Sequence, residues 1–317
     1  MKIVVCGNGR WGSFIAWYLD RIGMDVSLYG RNSEKIKKLE QDRKNDMLQF
    51  SDKMKFISDL EYVREADIII IAISAQHLQS FMENIVKYDI ENKIIVLCMK
   101  GIDIESGRRL SEIVIDSTSK SQRVAVWLGP GHPQEFAKGV PNCMVIDSEN
   151  ETVKNDLVRL FTSDLIRFYK GVDLVGNEIG AASKNVIGVA AGMLDGLGLT
   201  TLKGALMSRG TREISHLINV MGGNELSVYG LCHLGDYEAT LFSEFSHNRK
   251  FGEMFVQGQK YEQLSEGYYT VKAIKKLENK YGIELPICDS VYEILYNGKD
   301  PKVQLDKLFS RGIKNEF

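Results

Sequence analysis

Apolar residues recur along this chain in two rhythms, and the point where one gives way to the other divides it. Through the first half, short unbroken apolar runs alternate with segments whose apolar residues stand three and four apart. Ile3-Val4-Val5, residues 66–74 (ADIIIIAIS) and residues 93–99 (KIIVLCM) are continuous and β-branched, as strands buried on both faces of a parallel sheet are. Between them, Phe14, Ile15, Trp17, Tyr18, Leu19 and Ile22 keep helical spacing, and so do Leu78, Phe81, Met82, Ile85 and Val86. DVSLY (25–29), RVAVWLG (123–129), CMVIDS (143–148) and LIRFYKG (165–171) extend the sheet. After about Gly171 such runs nearly vanish, and helical patterns occupy Asn177 to Gly196, Lys203 to Val220, Glu225 to Leu231, Thr270 to Tyr281 and Ile287 to Tyr296. The pattern predicts a doubly wound α/β domain over residues 1–172 and an all-α domain over 173–317. Ligands of such a sheet lie beyond the carboxyl ends of its strands, where a second domain can close a cleft.

The first strand runs straight into CGNGRWG, which places Gly7, Gly9 and Gly12 in the spacing G-x-G-x-x-G between a strand and a helix. A second strand follows within about thirty residues, completing a βαβ unit. In this context the glycines predict a dinucleotide cradle of Rossmann type, with a purely structural bend as the alternative: one turns the chain, one lets the pyrophosphate approach the backbone, and one lets helix and strand pack closely. NAD is usually held by an acidic residue about twenty positions further on, and NADP by an arginine. Here the second strand ends in Tyr29-Gly30-Arg31-Asn32-Ser33 with no carboxylate before Glu34. This favours NADP(H), with NAD(H) still open, and a solvated Arg31 capping the next helix is the alternative.

Composition narrows the picture further. With 317 residues, 44% hydrophobic and a net charge of −2, the chain has material for about two globular domains and no broad basic field for nucleic acid. Its five cysteines are scattered, never as CxxC, so neither a disulfide framework nor a zinc site is indicated and a reducing cytoplasm fits. The longest apolar run is far too short to span a membrane, and MKIVV leads into a fold element rather than a signal peptide.

The candidate chemistry lies in lysines. Lys184 interrupts GNEIGAASKNVIGVAAGMLDGLG (176–198), a helix that is small and apolar around nearly its whole circumference. Burial there lowers an amine toward the range useful for proton transfer, and a carbonyl receiving hydride needs such a proton. A structural ion pair or an amine reaching out to solvent is the alternative. Lys100 follows a strand directly, at the edge where a nicotinamide lies, or else is an ordinary surface residue. In LGDYEATLFSEFSHNRKFG (234–252), Asp236 can hold a lysine, and Ser246, His247, Asn248 and Arg249 offer four donors to a phosphate, unless SHNRK is a solvated turn. Cys232-His233 and His132 lack companions at metal-ligand spacing, so no metal is assigned.

These pieces together resemble the NAD(P)-dependent glycerol-3-phosphate dehydrogenases along nearly the whole chain: GNGRWG, CMKG, GP at 129–130, ASKNVIGVAAGMLDGLGL, LGD with SHNRKFG, EGYYTVKAI and LPICDSVYEILY. The resemblance implies an α/β N-terminal Rossmann-like doubly wound domain plus an all-α C-terminal substrate domain. It also implies a cytoplasmic homodimer that reduces dihydroxyacetone phosphate, a triose phosphate, to sn-glycerol 3-phosphate for phospholipid or polymer synthesis, with no nucleic-acid partner. It makes Lys184 the proton donor, Lys100 a contact to substrate and nicotinamide, and Asp236 the partner of the catalytic lysine. It further implies substrate contacts from Gly129, Gly131, Asn185, Thr240, Ser246, His247 and Asn248. Cofactor contacts would come from Gly7, Asn8, Gly9, Arg10, Trp11, Gly12, Arg31, Ser74, Pro133, Arg249, Leu264 and Glu266.

Three departures from the family pattern surround the substrate. His247 stands where the family has an arginine, GPGHPQE replaces a hydroxyl by Gly131 and a lysine by Gln134, and the loop after Gly198 is about one residue shorter. Arginine is a permanent phosphate ligand, whereas histidine is charged only in acid, so a KM rising above about pH 7 is expected if His247 serves. His132, Arg249 and Lys250 are candidates to compensate. Two alternatives remain: a dehydrogenase of a related small keto compound in a surface-polymer pathway, and a cofactor-sensing protein without turnover. Retention of Lys100, Lys184 and Asp236 argues against the second.

Overall fold

A computed structural model describes residues 1–118, 123–313 and 315–316. Eight strands form one sheet: β1 (Lys2–Cys6), β2 (Asp25–Tyr29), β3 (Lys55–Ile57), β4 (Ile68–Ile71), β5 (Ile94–Leu97), β6 (Arg123–Leu128), β7 (Asn142–Asp147) and β8 (Ile166–Lys170). Their order is β3-β2-β1-β4-β5-β6-β7-β8, parallel throughout except where β7 runs against β6. Helices α1 (Arg10–Arg21), α2 (Ser33–Asp42), α3 (Leu78–Ile85), α4 (Leu110–Ser117), α5 (Pro133–Ala137) and α6 (Glu151–Phe161) connect these strands. Apolar side chains fill both faces of the sheet, which is why β4 can be four isoleucines, all buried. The order reverses direction between β1 and β4, and the crevice at that reversal opens at the strands' carboxyl ends.

The remainder is helical: α7 (Leu174–Gly196), α8 (Lys203–Val220), α9 (His247–Val256), α10 (Glu266–Tyr281), α11 (Pro286–Asn297) and α12 (Pro301–Phe309). Helix α7 is buried along almost its full length, as its lack of a polar face predicts. It meets α9 at backbone contact, since a Cβ on Gly192 would lie 1.8 Å from the Arg249 carbonyl oxygen and one on Gly252 would lie 2.1 Å from that of Val189. Larger residues would drive these helices apart.

The fold class agrees with expectation, but several elements do not. Strand β3 escaped detection because three residues are too few to show a period. Glu225 to Leu231, expected as an α-helix, is instead a 3₁₀ turn over Glu225–Tyr229, and SHNRK is not a solvated turn but the start of α9. The Ser246 hydroxyl accepts from the Arg249 amide and caps that helix.

Candidate active site

At the end of β1 the glycines divide their labour. Gly7 has φ +120°, and a Cβ on it would lie 2.3 Å from the Ala72 carbonyl oxygen; one on Gly12 would lie 1.9 Å from the Gly7 oxygen. Both are required by the protein's own packing. Gly9, by contrast, faces open space with no atom near its missing Cβ, and it begins α1 with no side chain capping the free amides. A helix N-terminus of this kind receives an anion, so the cradle fits a dinucleotide pyrophosphate. Trp11 lies beside it, its indole N–H buried without a partner. Arg31 is exposed at the end of β2 with no partner among the described residues, and Asn32 rather than Arg31 caps α2 by accepting from the Lys35 amide.

Beyond the ends of β4, β5 and β6 sits the group that the lysines foretold. Lys100 Nζ donates to the Gly129 carbonyl at 2.6 Å and to Asp236 Oδ2 at 2.8 Å. Lys184 Nζ lies 2.8 Å from the same oxygen and donates to Thr240 Oγ1 at 2.6 Å. Asp236 is 1% exposed and Lys184 6%. Burial lowers the Lys184 amine to about 8, against the pull of Asp236 and with help from the Lys100 charge. One carboxylate between two lysines leaves an excess positive charge, suited to an anionic substrate.

Asn185 and Asn248 brace this centre. Asn185 donates to the Lys100 carbonyl at 3.1 Å and accepts from Asn248 at 2.9 Å, while Asn248 Oδ1 takes the Ser265 hydroxyl and the Gly267 amide. On the cofactor side, Glu266 accepts from the Ser74 hydroxyl at 3.4 Å and keeps Oε2 buried without a partner. Burial raises this carboxyl to about 7, so a share of it can donate as the neutral acid. Pro133 opens α5, and Leu264 is half-exposed just before α10. Gly131 has φ +138°, and a Cβ there would strike the Phe136 ring, so the hydroxyl residue of the family pattern has no room.

Arg249 does not join the phosphate donors as expected. Its guanidinium pairs with Asp195 at 2.8 Å and Glu253 at 3.2 Å, beside Lys203 at 2.5 Å from Asp195. A cavity of about 200 Å³ instead gathers Arg10, Gln134, Phe245, His247, Lys250 and Tyr261. The His247 Nδ1 and Tyr261 hydroxyl are hydrogen-bonded, and burial, Arg10 and Lys250 lower the imidazole's pKa. His132 separates this cavity from the lysines: it contacts the Ala239 carbonyl at 2.9 Å, stacks edge-on against Phe245 and has its pKa lowered by burial and by Lys184. Tyr261 carried no signal in the sequence, because its importance depends on a loop folding back fourteen residues onto His247. A larger groove of about 720 Å³ between α7, α8, α11 and α12 mixes apolar side chains with charged ones such as Arg209, Arg212 and Glu284, and neither Lys100 nor Lys184 lines it.

The family described as NAD-dependent glycerol-3-phosphate dehydrogenase matches with its N-terminal part over residues 2–154 and its C-terminal part over 173–306. A glycerol-3-phosphate dehydrogenase [NAD(P)+] of Clostridium botulinum is 34% identical over 100% of this chain and 99% of its own, and one from Thermotoga is 33% identical with the same coverage. The crystal structure of the Coxiella burnetii glycerol-3-phosphate dehydrogenase superposes with a TM-score of 0.90 at 27% identity, covering 98% of this chain and 99% of that one.

Proposed function

This chain belongs to the NAD-dependent glycerol-3-phosphate dehydrogenase family, and from that premise we propose that it reversibly reduces dihydroxyacetone phosphate to sn-glycerol 3-phosphate with NAD(P)H. The observation that carries the reading is the shared Asp236 oxygen: two lysines converge on it beside an open dinucleotide cradle. When bound, the nicotinamide supplies a hydride. The substrate carbonyl lies against Lys184, whose ammonium gives its proton to the oxygen as C2 becomes tetrahedral and is left as a neutral amine. Asp236 holds that ammonium in place, Thr240 accepts one of its hydrogens, and Lys100 offers a second cation to the substrate. An amine near 8 is mostly protonated at neutral pH, as reduction requires, and is mostly free base above that value, as oxidation requires.

We place the protein in a reducing cytoplasm, supported by five free cysteines of which four are buried, and we expect the homodimer that the family resemblance implies. NADP(H) is the preferred cofactor in this reading, because Arg31 has no partner among the described residues and no carboxylate lies between Tyr29 and Glu34. Arg31→Ala should reduce the ratio of kcat/KM for NADPH over NADH by about tenfold, the value of one charge-assisted hydrogen bond. An unchanged ratio removes Arg31 from the argument. A related keto compound is favoured only by the neutral Gln134 and His247 in the 200 Å³ cavity. NADPH oxidation with dihydroxyacetone phosphate, dihydroxyacetone and other keto-phosphates decides: turnover with another carbonyl and none with dihydroxyacetone phosphate overturns the assignment.

A further inference from the structure

His233, one of the histidines set aside as metal ligands in the sequence, is untouched by the reaction above. It is completely buried, with Nδ1 2.8 Å from the Gly180 carbonyl oxygen and Nε2 2.7 Å from the Tyr237 hydroxyl. A carbonyl can only accept, so Nδ1 carries the hydrogen, Nε2 accepts, and Tyr237 donates to it. Thr211 Oγ1, 3.4 Å away, then donates to the Tyr237 oxygen. The result is a directed chain of hydrogen bonds from Thr211 in α8, through Tyr237 and His233, to α7. Burial brings the imidazole down to about 4, so it stays neutral at working pH and acts as a strut rather than an acid.

Both ends of the strut meet the catalytic group. Gly180 lies four residues before Lys184, one helical turn away, and its carbonyl is the intrahelical acceptor for the Lys184 amide. A Cβ at Gly180 would lie 3.1 Å from His233 Cβ, so glycine is what lets the ring come this close. At the other end, His233 and Tyr237 stand four apart, and so do Asp236 and Thr240, both in contact with Lys184 Nζ. The segment that carries all four passes from a 3₁₀ turn over Leu234–Asp236 into a π-turn over Glu238–Phe242. The hydrogen-bonding register changes along this unbroken helical segment, from 3₁₀ to π, so no single backbone register sets its rotation and side-chain contacts add to what holds it.

We propose that His233 and Tyr237 are positioning residues for proton transfer, holding the turn with Asp236 and Thr240 against the turn of α7 that carries Lys184. The inference rests on the reading of Lys184 as proton donor. Two variants test it: Tyr237→Phe, which keeps the ring and removes the hydroxyl, and His233→Asn, whose amide can still reach Gly180 but not Tyr237. Tyr237→Phe should lower kcat about tenfold while leaving the dissociation constant for NADPH unchanged. The alkaline limb of ketone reduction should move to lower pH, because Lys184 loses part of the Asp236 attraction that raises its pKa. His233→Asn should shift the limb in the same direction, and the double variant should be no worse than the poorer single one. If melting temperatures fall while kcat and the limb keep their wild-type values in both variants, the pair is merely structural and the proposal fails. Lys184→Ala serves as the control: if the limb survives in that variant, the reading of Lys184 is at fault and not the strut.

Discussion

Two carboxylates in this protein each bridge two cations, and their electrostatic settings are opposite. Asp236 lies between Lys100 and Lys184, and Asp195, near the end of α7, lies between Lys203 and Arg249. In the second cluster Glu253 joins Arg249, and Lys203 also donates to the Leu241 carbonyl at 3.0 Å, so charges balance and donors are used. One of its cations is a guanidinium that does not release a proton. In the first cluster both cations are lysines, no second carboxylate pairs with them among the described residues, and burial has brought one amine to about 8. An unbalanced charge that can lose a proton marks a reactive group, and a balanced one that cannot marks a brace. The brace serves the reactive group, since Leu241 belongs to the segment that carries Asp236 and Thr240.

Removing one member from each cluster gives the widest separation. Lys184→Ala should lower kcat by about 10²- to 10⁴-fold, the usual value of a positioned acid, with NADPH binding within about twofold of wild type. Turnover within about a tenth of wild type would show the two clusters to be equivalent and the division mistaken. Asp195→Ala should instead cost about 3 kcal/mol of stability in a denaturant titration, because two nearly buried cations lose the carboxylate they share and Lys203 keeps no other carboxylate among the described residues. Its kcat, measured on folded protein, should stay within a few-fold of wild type. Burial pushes the Asp195 carboxyl up, but Lys203, Arg249 and Thr200 outweigh it and hold the group below the usual carboxylate range. A depressed folded pKa stabilises above the unfolded value of about 4 and is lost as pH falls through the folded value, so wild type and variant should converge in acid. A gap that persists there would mean the cluster's contribution is packing and not charge.

What could be read without coordinates follows from how far each signal reaches. The glycine turn is local, so its three roles were legible in a dozen residues. Lys184 was legible because a lysine in an all-round apolar helix is a local contradiction, and Lys100 because it closes a strand. Arg249 looked equivalent to its neighbours in SHNRK, yet its role depends on Asp195, 54 residues earlier. His233 was illegible for the same reason, since its meaning comes from Gly180, 53 residues away. Residues with a role set by long-range partners look like spare polar groups in a sequence, and here those residues are the braces.

The smallest effect concerns the helix turn that serves both sides. His247 and Arg249 stand two apart at the start of α9, so they point in different directions, Arg249 to the brace and His247 to the 200 Å³ cavity with Arg10, Lys250 and Tyr261. Burial and those cations place the imidazole below its usual value near 6.5, so the pH window for its charge lies lower than the boundary near 7 expected from the residue type alone. Protonated His247 attracts a phosphate, so KM for dihydroxyacetone phosphate should rise as pH increases through that lowered value and then level off. The substrate's own second phosphate ionisation, near 6, falls in the same window. Comparison with His247→Arg cancels it, because both enzymes meet the same substrate. The variant should bind about tenfold more tightly at pH 8, and the ratio of the two KM values should approach one as pH falls below that lowered value, where the histidine has become a cation. A ratio that is flat with pH and close to one would show that His247 does not face the phosphate, and it would leave Arg10 and Lys250 to hold it.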